Sequence, residues 1–294
     1  MNDYGNARIA ARRSLLLDAS ALEQLAQSGS AAGLVSALER RPGWVAALRA
    51  ARQVAREPAA TVELAIERFR SAQLAELPTW YDGAAARLVE ALVMDLDRER
   101  VVAIMRRRRA GQDAEAINPT ITRGALLDGE ALVELARLPN LAAMIADLGA
   151  RGILLHDDAR ELARTAASLA PAQLESALGD AWAKAREERA AGRGPDASMV
   201  RRVLEEEAAE RETVGLELGT GGAGVAALVE RSARLARLDR LAHLARRDPT
   251  GIGPVVAYVA AVEAQSIRLR TVLARVAGGW SAEIARGYLS GIGS

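Results

Sequence analysis

Apolar residues recur every three to four positions along nearly the whole chain, in stretches separated by short polar or glycine-rich breaks. This spacing places apolar side chains on one face of an α-helix, whereas the period-two alternation of a half-buried strand is rarely sustained. The pattern therefore predicts an all-α protein. The predicted helices cover residues 7–17, 20–27, 31–39, 44–55, 60–75, 84–109, 128–137, 141–148, 157–168, 171–191, 197–212, 225–245, 254–277 and 281–289.

Proline, glycine and capping residues mark several helix ends. Pro254 suits a first helical position, Gly278 and Gly279 suit a stop, and Ser281 can cap the following short helix. Asp157 or Asp158 is expected to cap the helix that begins there. The glycine-rich breaks at 190–196 and 219–224 are the linker candidates, and we expect the second to be a hinge.

Two stretches of the chain recur. Residues 21–38 align without gaps on 131–148, and residues 95–115 align on 263–283. The second match includes polar and glycine positions: Arg100, Arg107, Gly111 and Glu115 fall on Arg268, Arg275, Gly279 and Glu283. Residues 6–16 resemble the same helix a third time. We therefore expect three related helical units, at 1–80, 81–218 and 219–294, with approximate boundaries and with some helices shared.

The amino-acid composition argues against several classes of function. Half of the residues are apolar but only 3% are aromatic, and 39 basic residues stand against 38 acidic ones. This balance lacks the basic excess of a nucleic-acid-binding protein, so we expect no nucleic-acid partner. The sequence contains no cysteine and two histidines, which excludes thiolate chemistry. We expect no catalytic residue, no metal and no cofactor.

The chain shows no sign of membrane insertion. No apolar core follows Met1, so we expect no signal peptide. The longest uncharged apolar run, residues 250–262, falls short of the roughly 18 residues that a membrane span needs. We expect a soluble chain, which leaves attachment to a membrane complex open.

Charged motifs each allow two interpretations. Arg106 to Arg109 end a predicted helix, where cations complement the helix dipole, or else they contact acidic groups or anionic lipids. Glu263 and Arg270 lie two turns apart, either on a solvated face or in contact with a neighbouring helix or another subunit. The motifs around His156 and at 219–224 do not have the spacing of a metal site or a phosphate loop.

The segment 254–289 resembles the last domain of the central-stalk subunit of V-type and archaeal A-type ATPases, called C or d. The positions that carry the resemblance are Pro254, Tyr258, Glu263, Leu269, Arg270, Val272, Leu273, Gly278, Gly279, Ser281, Glu283 and Ile284. Residues 4–17, 95–111 and 121–135 are similar to the first two units of that family, in the same order. Arg100 and Arg268 stand where the family has asparagine, and Gln265 where a second acid is common.

The resemblance implies three similar helical bundles arranged as a pseudo-threefold funnel. It implies a non-catalytic rotor subunit that links the shaft subunits of D/F type, held in a central cavity, to the membrane proteolipid ring. Such a subunit lies at the cytoplasmic face of the membrane and transmits torque for ATP-coupled ion transport, with protons as the expected ion. Signature or contact residues carried over from the resemblance are Asn6, Arg8, Arg106, Arg107, Tyr258, Glu263 and Arg270.

Two other functions fit parts of the sequence. A stand-alone α-helical repeat scaffold would also show internal repeats, and it would stack its units in a line. An all-α enzyme, such as a prenyl-transfer or small hydrolase fold, would need an acidic metal motif, but the two acids at 157–158 are followed by Ala159, Arg160 and Glu161. The rotor subunit is the leading hypothesis.

Overall fold

The computed structural model describes residues 3–218 and 223–278, and the regular secondary structure among them is entirely helical, with no strand. The predicted all-α class is confirmed. The α-helices are α1 Asp3–Arg13, α2 Ala19–Ala26, α3 Ala31–Glu39, α4 Val45–Arg52, α5 Pro58–Leu74, α6 Gly83–Val93, α7 Asp95–Arg109, α8 Ala114–Ile117, α9 Gly129–Arg137, α10 Leu141–Ala150, α11 His156–Thr165, α12 Pro171–Ala190, α13 Pro195–Leu218, α14 Ala223–Ala245 and α15 Gly253–Gly278.

The chain forms two compact units. Unit 1 combines residues 1–74 with 199–294, and unit 2 is the continuous range 75–198. Unit 1 is discontinuous because α15, near the end of the chain, packs on α1, α2, α3 and α5 at its beginning. The division at 1–80, 81–218 and 219–294 and the pseudo-threefold arrangement stay predictions.

The core of unit 1 joins the first helices to the last. Leu269 and Val272 of α15 are fully buried in the same cluster as Leu34, Leu38 and Ile66. Trp44 and Phe69 stack in this core with ring centroids 4.3 Å apart and planes 3° from parallel. Burial of these apolar side chains stabilises the unit at roughly 25 cal/mol per Å² removed from water.

The core of unit 2 lies among α7, α9, α10, α11 and α12. Trp182 of α12 is fully buried there, together with Met144, Leu148 and Leu174. The α10 and α11 helices form a tight pair, and Gly149 of α10 faces the Cβ of Ala159 on α11. A side chain at Gly149 would collide with that methyl group, so glycine permits the close packing.

The aligned segments 21–38 and 131–148 adopt the same local structure. Each contains a pair of short helices, α2 and α3 in unit 1 and α9 and α10 in unit 2. The residues before these helices match as well. Asp18 and Asp128 cap the first helix of each pair, and Ser30 and Asn140 cap the second, each by accepting a backbone N–H. The repeat therefore extends to the capping residues, which satisfy helical N–H groups that lack an internal partner.

The prediction of one continuous helix over residues 84–109 is wrong. The structure has α6 and α7 with a break at Met94. Trp182 donates its indole N–H to the Met94 carbonyl at 3.0 Å, and Arg186 Nε donates to the Ala91 carbonyl at 2.8 Å. These bonds from α12 stabilise the break, and the apolar periodicity continues across it, so sequence pattern does not reveal it.

Other boundaries also differ from the prediction. The first helix begins four residues earlier and ends at Arg13, and α13 runs on to Leu218. Three short 3₁₀ turns, Pro42–Trp44, Leu77–Trp80 and Asn118–Thr120, were not predicted, and neither was α8. The predicted aspartate cap of α11 is wrong, because the helix begins at His156 and places Asp157 and Asp158 in its first turn. There they still complement the helix dipole.

Several predicted details are confirmed. Pro254 lies in the first turn of α15, and the Ser266 hydroxyl donates to the Val262 carbonyl one turn back at 2.9 Å. The break at 190–196 separates α12 from α13. The predicted helix 281–289, the Gly279 stop and residues 219–222 of the predicted hinge lie outside the described residues, and Ala223 and Gly224 begin α14.

Candidate functional site

Helix α15 carries three of the seven predicted signature residues, Tyr258, Glu263 and Arg270. Its 26 residues span about 39 Å at 1.5 Å per residue. Val255, Val262 and Leu269 are fully buried, as the apolar stripe predicts. Polar side chains are buried as well, among them Glu263, Gln265 and Thr271. A polar group in a helix core needs a partner, so the contacts of these side chains define the site.

Glu263 joins three helices of unit 1. Arg70 Nε of α5 lies 2.6 Å from Glu263 Oε1, and Arg234 Nη2 of α14 lies 3.1 Å from Glu263 Oε2. Arg70 and Glu263 are both buried, at 2% and 8% exposure. Of the two interpretations of Glu263, the solvated face is wrong and the contact with neighbouring helices is right. The carboxylate ties α15 to α5 and α14 at one level of the bundle.

Arg270, two turns after Glu263 on α15, makes a second bridge to α5. Its Nε lies 2.7 Å from Glu63 Oε1, and its Nη2 contacts Glu67. Glu67 also lies 3.8 Å from Arg70, so the two bridges share a network. The pair is half-buried and contributes less than the Glu263 bridge, because solvent screens it. Together the bridges hold the register of α15 against α5.

Tyr258 and Asn6 are fixed by hydrogen bonds inside unit 1. The fully buried Tyr258 donates its hydroxyl to Gln73 Oε1 at 2.6 Å. Asn6 Nδ2 lies 3.2 Å from both the Thr250 and the Gly251 carbonyl oxygens, which belong to the loop before α15. Two of the predicted residues therefore anchor the beginning of α15 to α5 and α1.

The long helices of the two units make the same contact with the helix pairs. In unit 2, Asp97 of α7 accepts hydrogen bonds from Leu127 N at 2.8 Å and from Leu126 N at 3.1 Å. In unit 1, Gln265 Oε1 of α15 accepts from Leu17 N at 2.6 Å. Asp97 aligns with Gln265 in one repeat, and Leu127 aligns with Leu17 in the other. The internal repeat is thus a repeat of tertiary contacts.

The family model for the ATP synthase (C/AC39) subunit matches residues 5–212. This range is well over half of the 294 residues and includes both repeated helix pairs. The chain belongs to this family. The resemblance found in the sequence, to a subunit of rotary ATPases, is confirmed at the level of the family. No curated protein sequence matches the chain.

The remaining signature residues of this C/AC39 subunit lie on helix surfaces. Arg106 is exposed and pairs with Glu175 of α12 at 2.5 Å, which raises the pKa of Arg106 and lowers that of Glu175. Arg107 is half-buried and donates to Thr120 Oγ1. Arg8 is exposed and contacts Tyr4 through the hydroxyl and the ring face. Whether these residues contact other subunits stays a prediction.

A groove of about 530 Å³ lies beside α15 in unit 1 of the C/AC39 chain. Four alanines of α15 line it, Ala257, Ala260, Ala261 and Ala264. Gln265 and Arg268 of α15, His243 of α14 and Arg246 just after α14 also line it. Burial lowers the pKa of Arg268, and the nearby Asp239 carboxylate opposes that effect.

The described residues contain neither a metal-binding cluster nor a membrane-spanning helix. No group of three or more His, Cys, Asp or Glu side chains there could hold a metal ion. No helix in the described ranges has the length and apolar character required to cross a membrane.

Sequence reasoning missed the partners of α15 on other helices. Arg70 and Gln73 on α5 are 2% and 4% exposed and bind Glu263 and Tyr258. Both stand at core-facing positions among Ile66, Phe69 and Leu74. A polar residue inside an apolar helical stripe was the available signal, because such a residue is buried only with a partner.

Proposed function

We propose that this C/AC39 family member is the non-catalytic central-stalk subunit of a rotary ATPase, and that it connects the rotor shaft to the membrane proteolipid ring. In this role it transmits torque between ATP hydrolysis or synthesis in the head and ion movement through the ring. It acts at the cytoplasmic face of the membrane as a peripheral part of the complex. Its partners are the shaft subunits of D/F type and the ring.

The observation that carries the proposal is the way α15 is held within unit 1. It packs on α5 and α14, the Glu263 bridges join it to both helices, and the Arg270 bridge joins it to α5 again. A subunit that transmits torque has to resist sliding between its helices. Buried, directional charge contacts specify register more strictly than apolar packing does, since apolar contacts are non-directional.

The discontinuity of unit 1 argues against the alternative function, a stand-alone repeat scaffold that stacks its units in a line. In a solenoid each repeat contacts only its neighbours along the chain. Here α15 packs on α1, α2 and α3, which precede it by more than 200 residues. Such distant contacts are not those of a linear array.

Reconstitution of the rotary complex with and without this chain tests the proposal. Omission is expected to abolish ATP-driven ion transport into vesicles while the head retains ATP hydrolysis, and adding the chain back should restore transport. The purified chain should capture both the shaft subunits and the ring. Undiminished transport in its absence, or capture of neither partner, would refute the proposed role.

A further inference from the structure

The two repeated helix pairs are followed by helices of very different charge. In unit 1, α4 follows α2 and α3, and the segment 40–56 around it has five arginines and no acidic residue, with Glu39 and Glu57 just outside its ends. In unit 2, α11 follows α9 and α10, and its ten residues include three acids and two arginines. The excess of positive charge at this place is therefore a property of unit 1 and not of the repeat.

The arginines of α4 lie on one exposed stripe. Arg49 and Arg52 follow Val45 by four and seven positions, a spacing that puts the three side chains on one side of the helix. Beyond α4, the Ala55 N–H donates to the carbonyl oxygen four residues back at 2.9 Å, so Arg56 follows Arg52 by about one turn. Val45 is 40% exposed, and the three arginines are exposed as well. We call Val45, Arg49, Arg52 and Arg56 the α4 stripe.

The charges of the α4 stripe are mostly unpaired. Among the described residues, neither Arg49 nor Arg56 has an ion pair or a side-chain hydrogen bond. Arg52 contacts Glu39, but both side chains are exposed, so the pair contributes little to stability. Arg49 and Arg52 complement the dipole at the end of α4, whereas Arg56 lies beyond the helix. Since like charges one turn apart repel each other, an acidic partner would relieve a repulsion that the fold itself leaves in place.

The exposed surface of α4 favours a protein partner over a membrane. A helix that binds a membrane surface exposes large apolar side chains, typically tryptophan, phenylalanine or leucine. Here Trp44 and Leu48 are buried in the core of unit 1, and Val45 is the large apolar side chain that α4 exposes. Ala46 and Ala50 lie beside the stripe and are exposed and half-buried. Because these side chains are small, another helix can approach α4 closely there.

Carboxylates on a helix match the α4 stripe in charge and in spacing. On a partner helix, acids three and four residues apart lie on one face. Arg49, Arg52 and Arg56 have the same spacing, and their seven-residue span corresponds to roughly 10 Å at 1.5 Å per residue. Each guanidinium can donate two parallel N–H bonds to one carboxylate. Opposite charges at matched positions fix the register of two surfaces and speed their association.

We propose that the α4 stripe is the docking surface for an acidic α-helix of a partner protein, whose carboxylates bind Arg49, Arg52 and Arg56. Val45 packs on the apolar part of that helix, and Arg52 exchanges Glu39 for a carboxylate of the partner. The proposal goes beyond the rotary role, because it concerns one surface of unit 1 and holds for any partner with such a helix. It can therefore be tested on the purified chain.

Titration of the intact chain with model peptides tests the charge pattern. The probe is an alanine-rich helical peptide with glutamates spaced three and four residues apart, and the same peptide with glutamines is its neutral control. Binding, followed by calorimetry or by protein NMR, is expected for the glutamate peptide and absent for the glutamine peptide. It should weaken as the salt concentration rises, because exposed charges are screened.

Two double variants locate the binding. Arg49→Gln with Arg56→Gln is expected to weaken binding of the glutamate peptide about fivefold or more, through the loss of two exposed ion pairs. Arg87→Gln with Arg160→Gln is the control, since it removes the same charge from exposed arginines of unit 2. These four side chains have no ion pair or hydrogen bond among the described residues, so both variants should keep the fold, which circular dichroism checks.

The outcomes are distinct. A larger loss in the α4 variant than in the control supports the proposal. If the chain does not prefer the glutamate peptide to the glutamine peptide, the proposal fails. It also fails if the control variant loses as much affinity as the α4 variant, because that result indicates general charge attraction. Vesicles of phosphatidylserine, compared with phosphatidylcholine, test the membrane: if the α4 variant loses vesicle binding but keeps peptide binding, the stripe binds lipid and the proposal is wrong.

Discussion

Arg70 and Glu263 form a buried ion pair, with 2.6 Å between Arg70 Nε and Glu263 Oε1, although 193 residues separate them in the chain. The pair connects α5 to α15, and the second oxygen of Glu263 reaches Arg234 on α14. Removing one partner of such a pair leaves the other charge buried and unpaired. This is more harmful than the loss of an exposed pair.

Glu263→Gln is therefore expected to lower the free energy of unfolding by about 3 kcal/mol, at the low end for a broken buried pair because Glu67 stays 3.8 Å from Arg70. Glu63→Gln is the matched control, because Glu63 pairs with Arg270 at a more exposed place, and its cost should stay below about 1 kcal/mol. Urea unfolding of both variants measures the difference. Equal losses of unfolding free energy would show that burial does not determine how much each bridge contributes to stability.

Tyr258→Phe removes one hydroxyl and leaves the Gln73 amide oxygen buried without that donor. We expect a loss of about 1–3 kcal/mol, the cost of an unsatisfied buried polar group. Tyr4→Phe serves as the control because Tyr4 is 66% exposed, and its effect should be within about 0.5 kcal/mol. Thermal unfolding at neutral pH compares the two, and a similar shift in Tm for both would contradict the assignment.

Asp97 should make the stability of unit 2 depend on pH. Burial raises the pKa of Asp97 from its ordinary 3.8 to about 6, while bonds from the Leu127, Leu126 and Ala125 backbone and the charge of Arg100 act in the opposite direction. Because the folded pKa is the higher one, the stabilisation is fully present below about pH 4. It is lost as pH rises through about 6, and it amounts to about 3 kcal/mol.

The side chain of Asp97→Asn cannot ionise, and it keeps one acceptor oxygen. The stability of this variant is therefore expected not to decrease between pH 4 and 6. Asp128→Asn is the control, since Asp128 is an exposed cap that asparagine replaces well. Urea unfolding at a series of pH values and constant ionic strength measures both. A decrease that persists in Asp97→Asn would assign the pH dependence to another group.

Gly253 stands at the beginning of α15, where the chain turns closely. A Cβ atom there would collide with the backbone carbonyl oxygen of Asp248, whose side chain also binds Gly251 N and Gly253 N. Gly253→Ala is expected to destabilise by about 1–3 kcal/mol through this overlap. Gly129→Ala, where nothing lies within 4 Å, should be neutral or stabilising by up to about 1 kcal/mol. Urea unfolding tests the pair, and the reverse order would exclude the overlap.

Substitution of Arg106 distinguishes a structural role of this residue from contact with a partner subunit. Its pair with Glu175 is exposed, so Arg106→Gln should cost less than about 1 kcal/mol. Arg186→Gln is the contrast, because the buried Arg186 binds the Ala91 carbonyl and Asp95, and its loss should cost about 3 kcal/mol or more. If Arg106 contacts another subunit, its variant will lose capture of that subunit at unchanged stability. Unchanged capture would assign it to the helix end alone.

Much of the local structure could be predicted from the chain itself. The apolar spacing predicted α15 within one residue at each end, and it also predicted the four helices of the two pairs. The structure adds that their caps, Asp18 and Asp128, occupy equivalent positions. The resemblance to rotary ATPase subunits is confirmed as a family. These features depend on residues a few positions apart, because helical periodicity and capping are local properties.

The tertiary structure alone decided which polar residues meet. Glu263 pairs with Arg70 and Gln265 binds Leu17 N, because α15 packs against the beginning of the chain. The break at Met94 likewise depends on Trp182, 88 residues away. Sequence spacing indicates that a side chain faces the core, but it does not identify its partner, since that depends on which helices pack and in what register. Those distant contacts join α15 to the first helices of the chain in one unit.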